Sequence, residues 1–257
     1  MRLLVSVASA TEALAALAGG ADVIDAKDPL AGALGAVPIA VLTEIHAAVG
    51  GAHPVTAAIG DAADDAAIEE TACAFTAAGA ALVKVGFAGI ASAARIAALA
   101  AAAQRGVRAG RAGHGGVVLV AYADAERTAG LRPAALVDVA ARTGARGVLL
   151  DTADKSGPGL RALISPDALA AWVALAHERG LLVALAGKLA ADDLPFVRDA
   201  GADIAGVRGA ACEGGRAGRV SADRVLRLRS LCEVAATPAR TGPIAARRPD
   251  PPARSLF

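Results

Sequence analysis

Short apolar runs of strand length alternate along the chain with longer Ala-rich segments whose apolar positions recur at helical spacing. The runs predict strands at 3–7, 22–27, 55–60, 81–86, 117–123, 147–151, 182–186 and 204–208. The intervening segments predict helices at 10–18, 38–49, 65–78, 92–105, 133–143, 166–178 and 191–200, with an eighth at 221–233. Strict alternation with short connections implies right-handed crossovers and a parallel sheet. Eight such units in about 235 residues is the count and length of a single α/β (β/α)8 TIM barrel. Gly19-Gly20, Gly79, Gly144 and Gly201 each follow a helical pattern and precede a strand, as residues that cap a helix in a left-handed conformation do.

This pattern assigns residues 1–234 to the barrel. Residues 235–257 hold Pro238, Pro243, Pro249, Pro251 and Pro252 among Arg240, Arg247, Arg248 and Arg254 and lack apolar periodicity, so a flexible tail is expected. The irregular stretch 106–116, with Arg108, Arg111 and His114, reads as a surface loop leading into the fifth strand.

Composition narrows the function. Hydrophobic residues make up 55% of the 257, enough for a sizeable core, while aromatics are only 2%, too few for platforms that stack single-stranded nucleic acid. A formal charge of +1 provides no global field for a polyanion, so any phosphate recognition has to be local and nucleic acid is not an expected partner. No run approaches the roughly 18 apolar residues of a membrane span. The opening MRLLVSVASA is too short in its apolar part for a secretory signal and runs directly into a helical pattern at Thr11-Glu12. Cys73, Cys212 and Cys232 form no C-x-x-C pair and are odd in number, which fits a reducing compartment, and the four histidines show no zinc spacing. The expected location is the cytoplasm. A homo-oligomer is the expected assembly, although Ala-rich helix faces display no interface patch.

Of 26 basic residues only four are lysine, Lys27, Lys84, Lys155 and Lys188, and each lies at or just beyond a predicted strand. Arginine stays charged near neutral pH, whereas a lysine amine can be tuned to attack a carbonyl. Chance under a strong arginine bias is the competing explanation.

Period two along the strands sorts the faces. Ile24 and Ala26 oppose Asp25 and Lys27; Val83 and Val85 oppose Lys84; Val148 and Leu150 oppose Leu149 and Asp151. The helix-facing layer has to be apolar, so Asp25, Lys27, Lys84 and Asp151 point into the lumen. Lys27 and Asp151 fall at the C-terminal mouth, where barrel enzymes build their sites, with Lys84 about a layer deeper. Lys155 lies in the Gly-rich loop that follows Asp151. A structural ion pair is the alternative for Asp25 and Lys84, and loop anchoring is the alternative for Asp151.

The loops after strands seven and eight, Ala186-Gly187-Lys188 and Gly206-Val207-Arg208-Gly209-Ala210-Ala211, suit a phosphate held by backbone amides, with Lys188 as a point charge and Arg208 as a bidentate donor. Ordinary turn glycines are the alternative. Asp124, in Ala121-Tyr122-Ala123-Asp124, is a candidate partner for a substrate hydroxyl or a lysine. Clustered ammonium groups around a buried lysine, a nearby carboxylate and a phosphate clamp together describe Schiff-base chemistry on a small phosphorylated carbonyl compound.

Asp22-Val23-Ile24-Asp25-Ala26-Lys27-Asp28-Pro29, Gly32-Ala33-Leu34-Gly35-Ala36, Val83-Lys84-Val85-Gly86, Ala121-Tyr122-Ala123-Asp124, Asp151-Thr152-Ala153-Asp154-Lys155 and Gly206-Val207-Arg208-Gly209-Ala210-Ala211-Cys212 closely resemble the (5-formylfuran-3-yl)methyl phosphate synthase family. The similarity runs in order through about residues 2–233. It implies a class I aldolase-like barrel that condenses two glyceraldehyde 3-phosphate molecules into the furan precursor of methanofuran-type one-carbon carriers. It further implies Lys27 as the Schiff-base lysine, Lys84 as the proton acceptor, and Asp151 and Lys155 as active-site residues. Because the iminium itself is the electron sink, no cofactor is called for. A deoxyribose-phosphate-type aldolase and a non-catalytic phosphate-binding barrel are the rival readings.

Overall fold

The computed structural model describes residues 1–110, 115–127 and 129–233. Eight parallel strands close a barrel in sequence order: β1 (Arg2–Val7), β2 (Val23–Ala26), β3 (Val55–Asp61), β4 (Leu82–Gly86), β5 (Gly116–Tyr122), β6 (Gly147–Asp151), β7 (Leu182–Leu185) and β8 (Ile204–Val207). The seam is made by β1, which pairs with β2 on one side and β8 on the other. Helices α1 (Ala10–Ala18), α2 (Ile39–Val49), α3 (Asp65–Ala77), α4 (Ala93–Gly110), α5 (Pro133–Thr143), α6 (Leu160–Leu163), α7 (Pro166–Glu178), α8 (Leu194–Asp199) and α9 (Ala222–Cys232) connect and follow the strands. The expected TIM barrel is therefore present, and the strand and helix boundaries differ from the predicted ones mostly by a residue or two.

Alternation on the strands separates two apolar layers. Leu3, Val5, Ile24, Val83, Val85, Leu119, Val148 and Leu150 pack outward against the helices, whereas Leu4, Val23, Leu82, Val118, Leu149, Leu182 and Ile204 fill the lumen. Helix starts are fixed locally: the Ser9, Asp64 and Ser165 side chains accept from the backbone N–H of Glu12, Ala67 and Ala168, each three residues on. The glycines expected to turn helix into strand do so, Gly144 closing α5 with φ 69°.

Three differences from the sequence reading have physical causes. First, α4 continues to Gly110, so residues 106–110 are helix and not loop; 111–114 lie outside the described residues, as does the tail. A Cβ on Gly106 would lie 2.1 Å from the Glu69 carbonyl oxygen, and one on Gly110 would lie 2.4 Å from that of Cys73. These glycines let α3 approach closely, a use indistinguishable by composition from a helix stop. Second, the segment predicted as one helix at 191–200 is a 3-10 turn, Ala191–Asp193, followed by α8, with Pro195 in the first turn of α8. Third, a short hairpin, β9 (Cys212–Glu213) with β10 (Arg219–Val220), follows β8 at the mouth.

Candidate active site

The lumen's polar layer starts from Asp25, which is completely buried on β2. The Ser6 hydroxyl donates to its Oδ2 at 2.9 Å, the Thr56 hydroxyl donates to its Oδ1 at 2.8 Å, and Lys84 Nζ lies 2.5 Å from Oδ2. Strands β1, β3 and β4 thus converge on one carboxylate, and both of its oxygens are engaged. Asp25 thus supports Lys84 in the ion pair weighed above as the alternative for these two residues, and it does not line the cavity.

Lys27 and Asp151 stand at the mouth. Asp151 Oδ1 accepts from Lys155 Nζ at 2.6 Å and from the Thr152 amide at 2.7 Å, while Oδ2 lies 4.0 Å from Lys27 Nζ. Lys155 Nζ also donates to the Thr152 carbonyl at 2.5 Å. Lys27 has no side-chain hydrogen bond among the described residues. Burial pushes its amine down to about 8, the repulsion of Lys84 and Lys155 adds to that effect, and Asp151 and Asp25 oppose it. For Asp151 burial works the other way, yet Lys155 and Lys27 outweigh it and hold the carboxyl below the usual range. The four residues read from the lumen face and the resemblance, Lys27, Lys84, Asp151 and Lys155, therefore line one cavity of about 480 Å³. That volume lies within the roughly 300–1,000 Å³ typical of small-molecule sites.

The same cavity is walled by Gly187 and Lys188 after β7 and by Arg208, Gly209 and Ala210 after β8. Lys188, with φ 56°, donates from Nζ to the Gly157 carbonyl in the loop after β6. Arg208 corrects the sequence reading. All five of its N–H donors are taken: Nη1 and Nη2 pair with Glu12 at 2.5 and 3.0 Å, and the remaining donors reach the carbonyls of Ser6, Gly218 and Arg216. It braces the loop after β8 and has no donor left for a phosphate.

Asp124 also differs from its expected role. Its oxygens accept from the amides of Ala153 and Asp154 at 2.8 and 2.9 Å, so it anchors the loop carrying Lys155 and does not line the cavity. Nearby, the Tyr122 hydroxyl donates to Asp61 at 2.8 Å, and burial followed by the Asp61 charge pushes the phenol's pKa well up.

Two cations of the cavity escape the sequence reading, Arg216 and Arg224. Arg216 Nε and Nη2 donate to the carbonyls of Pro29 and Gly32 at 3.2 and 2.8 Å, tying the loop after β8 to the loop that follows Lys27. Its setting in Gly214-Gly215-Arg216-Ala217-Gly218, a glycine-rich loop at the catalytic face, is the signal that could have singled it out. Arg224 is exposed in the first turn of α9 and makes no hydrogen bond or ion pair among the described residues.

No helix among the described residues is long and apolar enough to cross a membrane. The barrel is similar to phosphoribosyl anthranilate isomerase from Thermus thermophilus (TM-score 0.60, 18% identity, 90% of this chain and 98% of that one). It is also similar to a 3-hexulose-6-phosphate synthase (TM-score 0.58, 24% identity, 90% and 99%). At these identities the likeness carries the fold alone. Sequence relatives go further. The chain is 40% identical over 236 residues to the (5-formylfuran-3-yl)methyl phosphate synthase of Methanopyrus kandleri, covering 91% of this chain and 99% of that protein. It is 35% identical over 235 residues to the Methanosarcina barkeri protein of the same name, covering 91% and 100%. The profile of the 4-HFC-P synthase family matches residues 3–229. With its lysines gathered at the mouth of the barrel, the chain belongs to the (5-formylfuran-3-yl)methyl phosphate synthase family.

Proposed function

We propose that this protein condenses two molecules of glyceraldehyde 3-phosphate into (5-formylfuran-3-yl)methyl phosphate through a Schiff base on Lys27. Atom balance then requires release of one inorganic phosphate and two waters per furan. The observation that carries the reading is the state of Lys27: a buried amine with its pKa pushed down to about 8, unbonded, and 4.0 Å from a carboxylate.

Lys27 attacks the triose aldehyde as a neutral amine, and the Asp151–Lys155 pair passes the protons of carbinolamine dehydration. Proton loss next to the iminium gives an enamine, which attacks the second aldehyde; loss of phosphate, dehydration and ring closure follow. Lys84 is the proton acceptor in this scheme, with one condition set by geometry. An ammonium 2.5 Å from Asp25 accepts nothing until its own proton has moved to that carboxylate. The product would serve as the furan precursor of a methanofuran-type carrier.

Borohydride trapping with glyceraldehyde 3-phosphate, with mass mapping and a phosphate assay, tests the proposal. A Lys27 adduct with one phosphate released per two trioses supports it. An adduct without phosphate release indicates an ordinary aldolase, and no adduct removes the imine mechanism.

A further inference from the structure

The cations around the cavity differ in what is left for a ligand. Lys84 is ion-paired to Asp25 and Lys155 to Asp151, while Arg208 is saturated by Glu12 and three carbonyls. Lys27 has to be neutral to react. The cavity cations without a carboxylate partner among the described residues are Lys188, Arg216 and Arg224.

Lys188 and Arg216 flank the mouth from different sides. Lys188 is bonded to the loop after β6, whereas Arg216 is bonded to the loop after β2. Since the barrel order runs β6-β7-β8-β1-β2, the floor of the cavity lies between them. Two carbonyls hold Arg216 Nε and Nη2, which fixes the plane of the guanidinium while leaving Nη1 uncommitted among the described residues. A guanidinium oriented this way offers fixed donors to a phosphate, and Arg224 adds a second charge from α9, which packs against the turn Gly209–Ala211, whose Gly209 lies against the Arg216 backbone.

We propose that Arg216 and Arg224 form a second phosphate subsite, which holds the phosphate of the acceptor triose while the imine-forming triose is held on the Gly187 and Lys188 side. This rests on the two-triose reading above and adds to it the residues that distinguish the two substrate molecules. A phosphate monoester carries roughly −1.5 to −2 charges near neutrality. Two of them in one cavity need separate cationic contacts, and this division supplies them.

Arg224→Gln is the cleaner variant, since its side chain makes no hydrogen bond among the described residues that folding could need; Arg216→Lys keeps the charge but loses the planar fork. In both, borohydride-trapped adduct at Lys27 should retain its wild-type dependence on glyceraldehyde 3-phosphate. Furan formation should need about 10- to 100-fold more substrate to reach the same rate. Parallel loss of trapping and turnover, or no change in either, overturns the assignment. Calorimetry with a hexitol 1,6-bisphosphate and the corresponding 6-monophosphate needs no turnover, so it separates this proposal from the imine reading. The wild type should favour the bisphosphate by at least about 10-fold, and Arg224→Gln should lose most of that preference. Equal affinities in the wild type overturn the second subsite even where the Lys27 adduct forms.

Discussion

Lys27 Nζ stands 4.0 Å from Asp151 Oδ2, near enough to be attracted and too far to be hydrogen-bonded. A direct bond would anchor the proton on the amine. At this separation the carboxylate is available to the carbinolamine of the proposed imine chemistry, while burial and two ammonium neighbours favour the neutral base.

With the Lys27 pKa at about 8, roughly a tenth of the amine is neutral at pH 7. The rate of borohydride trapping should therefore rise with pH and level off above about 8. Lys84→Met removes a repelling charge, so it should displace that profile to higher pH. Trapping independent of pH between 6 and 9 would contradict the assignment of Lys27.

Lys27 titrates at 10.5 when unperturbed and about 8 in the native state. The folded protein then binds fewer protons than the unfolded chain between those values, so stability should increase with pH across that window. Below it the fold carries the whole cost of the buried ammonium, about 3 kcal/mol. Lys27→Met should accordingly abolish the adduct yet raise stability at pH 7 by about 1–3 kcal/mol in urea denaturation.

Asp25→Asn leaves Lys84 buried without its counter-charge and should destabilise by about 3–5 kcal/mol. Replacing both partners, Asp25→Leu with Lys84→Met, should recover much of the loss. Thr56→Val, which removes one donor to the carboxylate, should cost about 1 kcal/mol. Chemical denaturation of the four proteins gives the comparison.

Asp124→Ala frees the amides of Ala153 and Asp154 and with them the loop that aims Lys155. Turnover should fall about 10-fold or more while the Lys27 adduct still forms. A variant unable to form the adduct would place Asp124 in imine formation itself.

Gly106→Ala puts a methyl group against the Glu69 carbonyl and should destabilise by about 2 kcal/mol or more, without altering substrate dependence. Thermal unfolding and steady-state rates measure the two effects separately.

The lumen set was legible because a barrel's outer strand face has to be apolar, so period two alone sent Asp25, Lys27, Lys84 and Asp151 inward. Ser6 and Thr56 follow from the same rule, since each pairs in register with Asp25 on a neighbouring strand. The roles of Arg208 and Arg216 were not legible. Both sit in one glycine-rich loop, and which of them is consumed depends on Glu12, 196 residues away from Arg208. No local pattern reports that encounter. Asp124 was misread for a similar reason: it lies at a strand end on the catalytic face, but amides 29 and 30 residues further along claim its oxygens. Gly106 and Gly110 permit close packing against a backbone that only the folded molecule brings near.

The Arg208 brace has a temporal side as well. Its contacts with Ser6 and Glu12 join β8 and its loop to the opening of the chain, so they form only when the last strand closes against the first. A ribosome-bound or truncated chain that ends before β8 already carries Lys27, Lys84 and Lys155, yet it lacks the wall that dehydrates them. Without that wall the Lys27 amine is not desolvated and keeps its ordinary basicity. On the proposed imine chemistry, carbonyl reactivity is thereby withheld from incomplete chains, and the Lys27 nucleophile is acquired in the same event that completes the fold.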